Sequence, residues 1–395
     1  MGNRRTDERG PIELRGRTDP DRVTGTARPG DPTRLAHAAV RGGGPGAGRS
    51  GGRDAAAAGL LSRWLSRAGS RWRGARALVM EDPLGEVCEQ LESLGATCTR
   101  WGRRVGRGRI VSPWPPPGCY DLIALRLPRA KDELLMLAHA AAARLESGAP
   151  LLLYGANDEG VTSAAKAVRG VLEGGDVVAH GRHCRILRFL DVAGAAIGRD
   201  ALDVWARPVV EVPSELAERR PITYPGVFAA DRTDPGTALL LGAVGAPRPH
   251  ARVLDFGCGW GVVGAVLAVR EPSISLTLLD ADAVALEAAA RNVPGAAIVL
   301  ADGLDAPGDA GAPDERFDWI VANPPYHKGK GESLDVVAAL VTGARDRLAR
   351  RGRLALVVQR RLPVGRLLEE RFKRVAVLAE DGVYRVWDAR TGSGK

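Results

Sequence analysis

The stretch V-L-D-F-G-C-G-W-G (residues 253–261) places an apolar run directly before three glycines and a helical pattern. Gly257, Gly259 and Gly261 allow a tight turn and let a ligand approach the backbone closely. A glycine-rich turn between a strand and a helix is typical of nucleotide-binding α/β sheets, so a dinucleotide site is one interpretation of this stretch. The carboxylates that follow the neighbouring strands argue for a different ligand.

Three aspartates lie at or just beyond the ends of successive predicted strands, about one strand-helix unit apart. Such residues meet at the carboxyl edge of a parallel sheet, where ligands bind. Asp255 can meet a cationic amino group, Asp280 can accept both hydroxyls of a ribose, and Asp302 can accept from an adenine amine. Together they describe a nucleoside with a charged amino-acid tail, so we predict S-adenosyl-L-methionine as the cofactor and assign no metal. The alternative is that the carboxylates simply face solvent.

The turn N-P-P-Y (residues 323–326) ends a fourth apolar run, F-D-W-I-V-A. An exocyclic amine of a purine is a poor nucleophile because its lone pair is delocalised into the ring. The side-chain oxygen of Asn323 and the backbone carbonyl of Pro324 can accept its two hydrogens, and the prolines hold these acceptors rigid. Tyr326 can stack on the base. We predict that these three residues hold the reacting base, whereas the alternative is a strand stopped by two prolines.

Strand and helix patterns alternate throughout the C-terminal half, which indicates an α/β fold with a mostly parallel sheet. A short turn at 380–382 predicts a closing antiparallel hairpin. The N-terminal half repeats the pattern: Y-D-L-I-A-L-R-L-P (120–128) aligns with F-D-W-I-V-A-N-P-P (317–325), which places Arg126 at the position of Asn323. We therefore predict two tandem class I methyltransferase domains, of which the first is degenerate. The predicted boundaries are a disordered basic extension at 1–70, the degenerate domain at 71–203, a linker at 204–222 and the catalytic domain at 223–395.

Charge is unevenly distributed along the 395 residues, whose formal net charge is +9. Residues 1–75 hold 15 arginines and seven acids, and their Gly/Pro/Arg-rich composition predicts disorder. This arm either contacts RNA phosphates or has no role. A second basic cluster, 345–374, is either an RNA-facing stripe or a solvated surface. The segment H-G-R-H-C (180–184) has ligand-like residue types but is predicted to lie in a strand.

Cysteine usage and hydropathy predict the cellular compartment of the protein. The five cysteines include no C-x-x-C pair, which predicts a reducing compartment and no disulfide framework. Neither a signal-peptide pattern nor a stretch of 18 apolar residues is found, so we predict a cytoplasmic protein without a membrane partner.

The motifs taken together resemble the ribosomal RNA guanine-N2 methyltransferases. T-Y-P-G-V-F-A-A-D-R-T-D-P-G-T (223–237), the glycine turn and N-P-P-Y-H (323–327) carry the resemblance, with G-A-N-D-E-G (155–160) in the first half. More closely, the chain is similar to the bacterial small-subunit (16S) enzymes. The resemblance implies two tandem domains of which the first has lost cofactor binding, and methylation of the N2 amine of a guanosine in 16S ribosomal RNA of the small subunit.

Four alternatives remain open on the sequence. The same turn serves guanine-N2 methylation of large-subunit (23S) RNA, N6-methylation of adenine and methylation of protein glutamine. The fourth is a non-catalytic RNA-binding assembly factor, against which the set of Asp255, Asp280, Asp302 and Asn323 argues.

Overall fold

The computed structural model of the protein describes residues 49–192, 198–304, 316–324 and 330–392. Two seven-stranded sheets dominate it. The first contains β1 (Arg76–Met80), β2 (Thr97–Gly102), β3 (Ile110–Val111), β4 (Leu122–Arg126), β5 (Leu151–Ala156), β6 (Leu172–Gly181) and β7 (Cys184–Val192). A separate pair follows, β8 (Arg207–Pro208) and β9 (Ile222–Thr223). The second sheet contains β10 (Arg252–Phe256), β11 (Ser275–Asp280), β12 (Ala297–Leu300), β13 (Phe317–Ala322), β14 (Leu348–Gln359), β15 (Arg374–Glu380) and β16 (Tyr384–Arg390).

Helices connect the strands in both halves. Those of the first half are α1 (Arg49–Arg67), α2 (Glu86–Ser93), α3 (Lys131–Ala142) and α4 (Val161–Ala167). Those of the second half are α5 (Pro235–Ala243), α6 (Val262–Arg270), α7 (Ala283–Asn292), α8 (Lys330–Arg347) and α9 (Val364–Glu369). Because parallel strands need a crossover, the helices between consecutive strands of a sheet return the chain to the start of the next strand, whereas α1 and α5 precede the first strands β1 and β10.

The two sheets have the same strand order, which confirms two tandem domains of one α/β fold. The orders are β3-β2-β1-β4-β5-β7-β6 and β12-β11-β10-β13-β14-β16-β15. In each sheet one strand runs against all the others: β7 is antiparallel to both of its neighbours, β5 and β6, and β16 is antiparallel to β14 and β15. The predicted closing hairpin is confirmed, since β15 and β16 pair antiparallel across the turn that follows Glu380.

Strand register tests the internal alignment residue by residue. Ile123 pairs with Leu151 in the first sheet, and its aligned counterpart Ile320 pairs with Leu354 in the second. The same register identifies what the first domain carries at the three polar positions of the second. Those replacements are Val79 for Asp255, Gly102 for Asp280 and Arg126 for Asn323. The first domain therefore lacks, in register, the carboxylates and the amide predicted to hold cofactor and base.

Helix α1 corrects the prediction of disorder through residue 70. Ala57, Ala58, Leu61 and Leu65 are buried on one of its faces and pack against the first sheet. The prediction failed because Gly and Arg dominate the composition of this region, while the buried face of α1 consists of only a few alanines and leucines. The part of the predicted extension at 1–48 lies outside the described residues.

Substituting Leu61→Ala should lower the free energy of unfolding by about 2–5 kcal/mol, since its side chain is fully buried and its loss leaves a cavity. Arg63→Ala is the matched control, because Arg63 lies exposed on the same helix. Urea unfolding of both variants measures the difference. Equal stability of the two variants would mean that α1 does not belong to the folded domain.

Two further predictions are corrected in the first domain. Cys88 on α2 and Cys98 on β2 form a disulfide, because the turn between the helix and the strand brings together cysteines that no short motif connects. The segment 180–184 does not lie within one strand: Arg182 and His183 form the turn between β6 and β7, both with positive φ. Among the described residues no group of three or more His, Cys, Asp or Glu side chains is arranged to hold a metal ion. The described helices include none that is both long and apolar enough to cross a membrane.

Candidate active site

The carboxyl ends of β12, β11, β10 and β13 lie side by side, so the sheet brings most of the predicted site residues to one edge. Asp302, Asp280 and Asn323 follow or end three of these strands, and Gly257 follows β10. Strand order reverses between β10 and β13, and such a switch point opens a crevice for a ligand. Phe256 pairs with Ala322, so Gly257 and Asn323 leave the sheet as neighbours.

The glycine turn has the left-handed backbone that its sequence predicts. Gly257, Gly259 and Gly261 have φ values of +69°, +55° and +86°. A Cβ added at Gly259 would meet no atom within 4 Å, so this turn exposes backbone to open space. At Gly261 the space is closed, because an added Cβ would lie 3.2 Å from Ala289 on α7. One glycine therefore leaves room for a ligand, while the other allows close packing of helices.

Asp255 is buried behind this turn and supports it. Its Oδ2 accepts a hydrogen bond from the N–H of Gly264 in the first turn of α6, at 2.9 Å. A Cβ at Gly264 would lie 2.5 Å from Leu278, which explains a glycine inside the helix. Asp255 thus caps α6 from the strand side, a role that the sequence analysis did not assign to it.

Asp280 holds two backbone groups at the end of β11. Its Oδ2 accepts from the N–H of Gly259 at 2.8 Å, and its Oδ1 accepts from the N–H of Asp282 at 2.9 Å. These bonds fix the carboxylate between the glycine turn and the start of α7. A carboxylate oxygen has two lone pairs, so each oxygen can still accept from a ribose hydroxyl.

Asn323 is oriented by residues from α5. Its Nδ2 donates to Oδ2 of Asp234 at 3.0 Å and to Oγ1 of Thr237 at 2.8 Å. Because a carboxylate can only accept, this pairing determines which end of the amide is nitrogen. The Oδ1 of Asn323 is buried, and no donor from the described residues reaches it. An unpaired buried acceptor is costly, so its free lone pairs mark a place for a donor from a ligand.

Asp234 and Thr237 are functional residues that the sequence analysis missed. Asp234 caps the N-terminus of α5, where its Oδ2 also accepts from the N–H of Thr237 at 3.1 Å, and Pro235 occupies the first helical position. The signal was present in the sequence, since Asp-Pro-x-Thr predicts a capped helix start. The missing information was that this start lies against Asn323.

Asp255, which is buried, and Asp280, which is half-buried, are held in an environment that disfavours their charge. Burial raises the pKa of Asp255 to about 7, an effect that the Gly264 N–H opposes and the charge of Asp280 adds to. Burial and the charge of Asp282 raise the pKa of Asp280 to about 6, while the Gly259 N–H and Arg104 oppose this rise. Two carboxylates with raised pKa values beside an open glycine turn are suited to a cationic ligand.

The remaining predicted residues divide into two groups. Asp302 is exposed beyond the end of β12, and Pro324 is buried directly after Asn323. Tyr326 lies outside the described residues, as do Pro325, His327 and Lys328. Its stacking role therefore stays a prediction.

Comparisons with known proteins agree on one family. The family model "Methyltransferase small domain" matches residues 219–388, and "Methyltransferase small domain N-terminal" matches residues 110–198. A ribosomal RNA small subunit methyltransferase C of Stutzerimonas stutzeri is 32% identical over 333 residues, which cover 81% of this chain and 96% of the relative. The corresponding protein of Ectopseudomonas mendocina is 35% identical over 297 residues, covering 73% and 84%.

A solved structure resembles the whole two-domain arrangement. It is a 16S rRNA N2 methyltransferase of T. thermophilus in complex with AdoMet and guanosine, with a TM-score of 0.70 and 26% identity. The match covers 85% of this chain and 91% of that one, and so extends over both sheets.

Proposed function

The chain belongs to the family of ribosomal RNA small subunit methyltransferase C, and we propose that it methylates the N2 amine of a guanosine in 16S ribosomal RNA, with S-adenosyl-L-methionine as cofactor. The observation that carries the proposal is the buried Oδ1 of Asn323 at the carboxyl end of β13, which has no partner among the described residues. It lies at the same sheet edge as the carboxylates proposed to bind the cofactor.

The residues at this edge suit the chemistry of the cofactor. S-adenosyl-L-methionine supplies a methyl group on a positively charged sulfonium. Asp280 would accept from the ribose hydroxyls, Asp302 from the adenine amine, and Asp255 would provide negative charge for the amino-acid tail. Gly257, Gly259 and Gly261 would let the cofactor approach the backbone.

Asn323 and Pro324 act on the base. The Asn323 Oδ1 and the Pro324 carbonyl accept the two hydrogens of the N2 amine, which favours a tetrahedral nitrogen and directs its lone pair toward the methyl group. Asp234 and Thr237 already hold the amide in place, so little reorganisation accompanies the reaction. The excess proton leaves to water after transfer, so no strongly basic side chain is needed. Tyr326 would stack on the guanine.

The substrate is RNA rather than a free nucleoside. Arg360 and Arg361 are exposed just beyond the carboxyl end of β14, the neighbour of β13 in the sheet. Guanidiniums there can contact phosphates on either side of a base that has left its stack. A ribosomal RNA substrate places the protein in the cytoplasm, with the small ribosomal subunit or its RNA as partner.

A methyl-transfer assay with labelled S-adenosyl-L-methionine tests the proposal. Naked 16S and 23S RNA, protein-depleted subunits and assembled subunits are offered in parallel, and the products are digested to nucleosides. We expect label in N2-methylguanosine from the small subunit. Label from the large subunit only, or in N6-methyladenosine, would contradict the substrate assignment. Cofactor binding without RNA label would redirect the search to protein glutamine, and absence of cofactor binding would favour a non-catalytic assembly factor.

Cofactor affinity should rise with pH. Ionised carboxylates bind a cationic, hydroxyl-bearing ligand best, and Asp255 and Asp280 lose their protons near pH 7 and pH 6. Between pH 5.5 and pH 8 we expect affinity for S-adenosylhomocysteine, measured by calorimetry, to increase by roughly tenfold or more. The profile of Asp280→Asn should be flatter. A pH-independent affinity would contradict a role for these carboxylates.

Stability of the free protein should change in the opposite direction. An acid whose folded-state pKa is raised binds its proton more tightly in the folded than in the unfolded chain. The stability contributed by Asp255 and Asp280 is therefore fully present below pH 4 and is lost as pH rises through about 6 to 7. Thermal unfolding of Asp255→Asn compared with the unsubstituted protein isolates this contribution.

A further inference from the structure

The loops that follow β2 and β11 occupy equivalent positions in the two domains, and they pair with each other. The N–H of Val105 donates to the carbonyl of Ala281, and the N–H of Ala283 donates to the carbonyl of Arg103, both at 2.8 Å. Arg104 and Asp282 form the antiparallel bridge at the centre. Because Gly102 and Asp280 are equivalent in register, this contact has a local two-fold pseudosymmetry.

Arg103 fixes this contact with a fully buried guanidinium. Its Nε donates to Oδ1 of Asp282 at 2.8 Å, and its Nη2 lies 2.8 Å from Oδ2 of the same carboxylate. Its Nη1 donates to Oε1 of Glu133 at 3.1 Å and to the carbonyl of Pro225 at 2.8 Å. Gly226 makes room for it, since an added Cβ there would lie 2.7 Å from Nη1. One side chain of the first domain thus holds two segments of the second.

The contacts continue from Arg103 into the cofactor edge. Asp282, the ion-pair partner of Arg103, caps α7 by accepting a hydrogen bond from the N–H of Val284 at 3.0 Å. Its own N–H donates to Oδ1 of Asp280 at 2.9 Å, and Oδ2 of Asp280 accepts from Gly259 in the glycine turn. Burial alone would raise the pKa of Asp282, but Arg103 and Arg104 lower it below its ordinary value. Asp282 therefore stays ionised and bound to Arg103 across the working pH range.

We propose that Arg103 of the N-terminal domain is a positioning residue for cofactor binding in the C-terminal domain, acting through Asp282 on the carboxylate of Asp280. The first domain, which lacks equivalents of the cofactor residues, then contributes to catalysis by fixing the loop that holds the ribose of the cofactor. The inference rests on the assignment of Asp280 made under the proposed function.

Calorimetric titration of the full chain with S-adenosylhomocysteine tests this role. Arg103→Met should weaken cofactor binding roughly tenfold. Arg103→Lys keeps the charge but loses the planar set of donors, so its affinity should lie between those of Arg103→Met and the unsubstituted protein. Turnover at saturating S-adenosyl-L-methionine should change little, whereas the KM for the cofactor rises and the KM for RNA does not.

Arg126→Met is the matched control for general destabilisation. Arg126 is also buried in the first domain, and its substitution also removes two ion pairs, with Asp54 and Glu159. These partners lie in the first domain and not in the loop after β11. We expect its melting temperature to fall as that of Arg103→Met does, with cofactor affinity unchanged. Should Arg103→Met fail to fold, Asp282→Asn decides, because asparagine still caps α7 while the ion pair is lost.

The outcomes separate this inference from the proposed function. Asp280→Ala with unchanged affinity would refute the cofactor assignment itself. If Asp280→Ala weakened cofactor binding while Arg103→Met and Asp282→Asn bound the cofactor normally, only the positioning role would be refuted. If Arg103→Met and Arg126→Met weakened cofactor binding equally, the loss would be explained by lower stability, and the positioning role would also be refuted.

Discussion

Replacing Asn323 with alanine should lower the turnover of methyl transfer by roughly 10²-fold or more while leaving cofactor affinity nearly unchanged. The lost atom is the buried Oδ1, which has no partner among the described residues and is therefore free to accept from the reacting amine. This acceptor matters most when the nitrogen becomes tetrahedral, so the effect falls on the transition state. Single-turnover kinetics on the RNA substrate identified by the labelling assay give the rate, and calorimetry gives the affinity.

A pair of substitutions at Asp234 controls for the position of the amide. Asp234→Asn keeps an acceptor for the N–H of Thr237 and for Nδ2 of Asn323, so its turnover should stay close to that of the unsubstituted protein. Asp234→Ala removes both bonds and leaves Oγ1 of Thr237 as the remaining described acceptor for the amide nitrogen. Its turnover should fall toward that of Asn323→Ala, with about 1 kcal/mol of stability lost from the helix cap.

Equal losses of turnover and cofactor affinity in Asn323→Ala would contradict the acceptor role and point to a structural role for the turn. Unchanged turnover in Asp234→Ala would show that the amide needs no orientation by α5. The two results are independent, because the first concerns the acceptor itself and the second concerns its support.

The sequence predicted the strands that carry the site, because its signals are local. Strand β13 coincides with the apolar run at 317–322, β11 ends at Asp280, and β10 ends directly before the glycine turn, since each run is bordered by Gly, Asp or Asn. The internal alignment was equally informative, because a duplicated fold repeats its strand patterns even after its polar residues have changed. The alignment alone identifies Arg126 as the residue equivalent to Asn323.

Contacts between distant segments could not be predicted in this way. Asp234 meets Asn323 across 89 residues, and Arg103 meets Asp282 across 179. No periodicity connects such pairs; only packing of one element on another brings them together. Helix α1 and the Cys88–Cys98 disulfide were missed for the same reason, since burial of a small-residue stripe and proximity of two thiols depend on the sheet beneath them.

One such contact occurs at equivalent positions in both domains. In both, an aspartate in or capping the helix before the first strand contacts the residue at the carboxyl end of the fourth strand: Asp54 contacts Arg126, and Asp234 contacts Asn323. In the first domain the partner is a cation, so the carboxylates are neutralised and the position is closed by an ion-pair cluster. In the second the partner is an amide, whose Oδ1 has no partner among the described residues. The cation in the first domain and the amide in the second thus occupy the same position of a shared framework.

Substituting Asp280→Ala should weaken binding of S-adenosyl-L-methionine by roughly 10²-fold, because two hydrogen bonds to a charged group, each contributing about 1.5–3 kcal/mol, would be lost. Part of the effect comes from the protein itself, since Asp280 also accepts from the N–H groups of Gly259 and Asp282. Asp280→Asn should bind almost as poorly, because its amide would direct an N–H at one of these donors. Calorimetry with S-adenosylhomocysteine measures both variants without turnover.

Asp318→Ala is the matched control, since Asp318 lies at the opposite edge of the same sheet. It accepts from the backbone of Arg252 and pairs with exposed Arg248, so its loss removes a carboxylate with comparable bonds but no access to the cofactor edge. Its cofactor affinity should equal that of the unsubstituted protein. If Asp318→Ala weakened cofactor binding as much as Asp280→Ala, the loss of affinity would reflect general disruption of the sheet. If neither variant changed affinity, the ribose would have to be held elsewhere, and the conclusion that three strand-end carboxylates recognise the cofactor would fail.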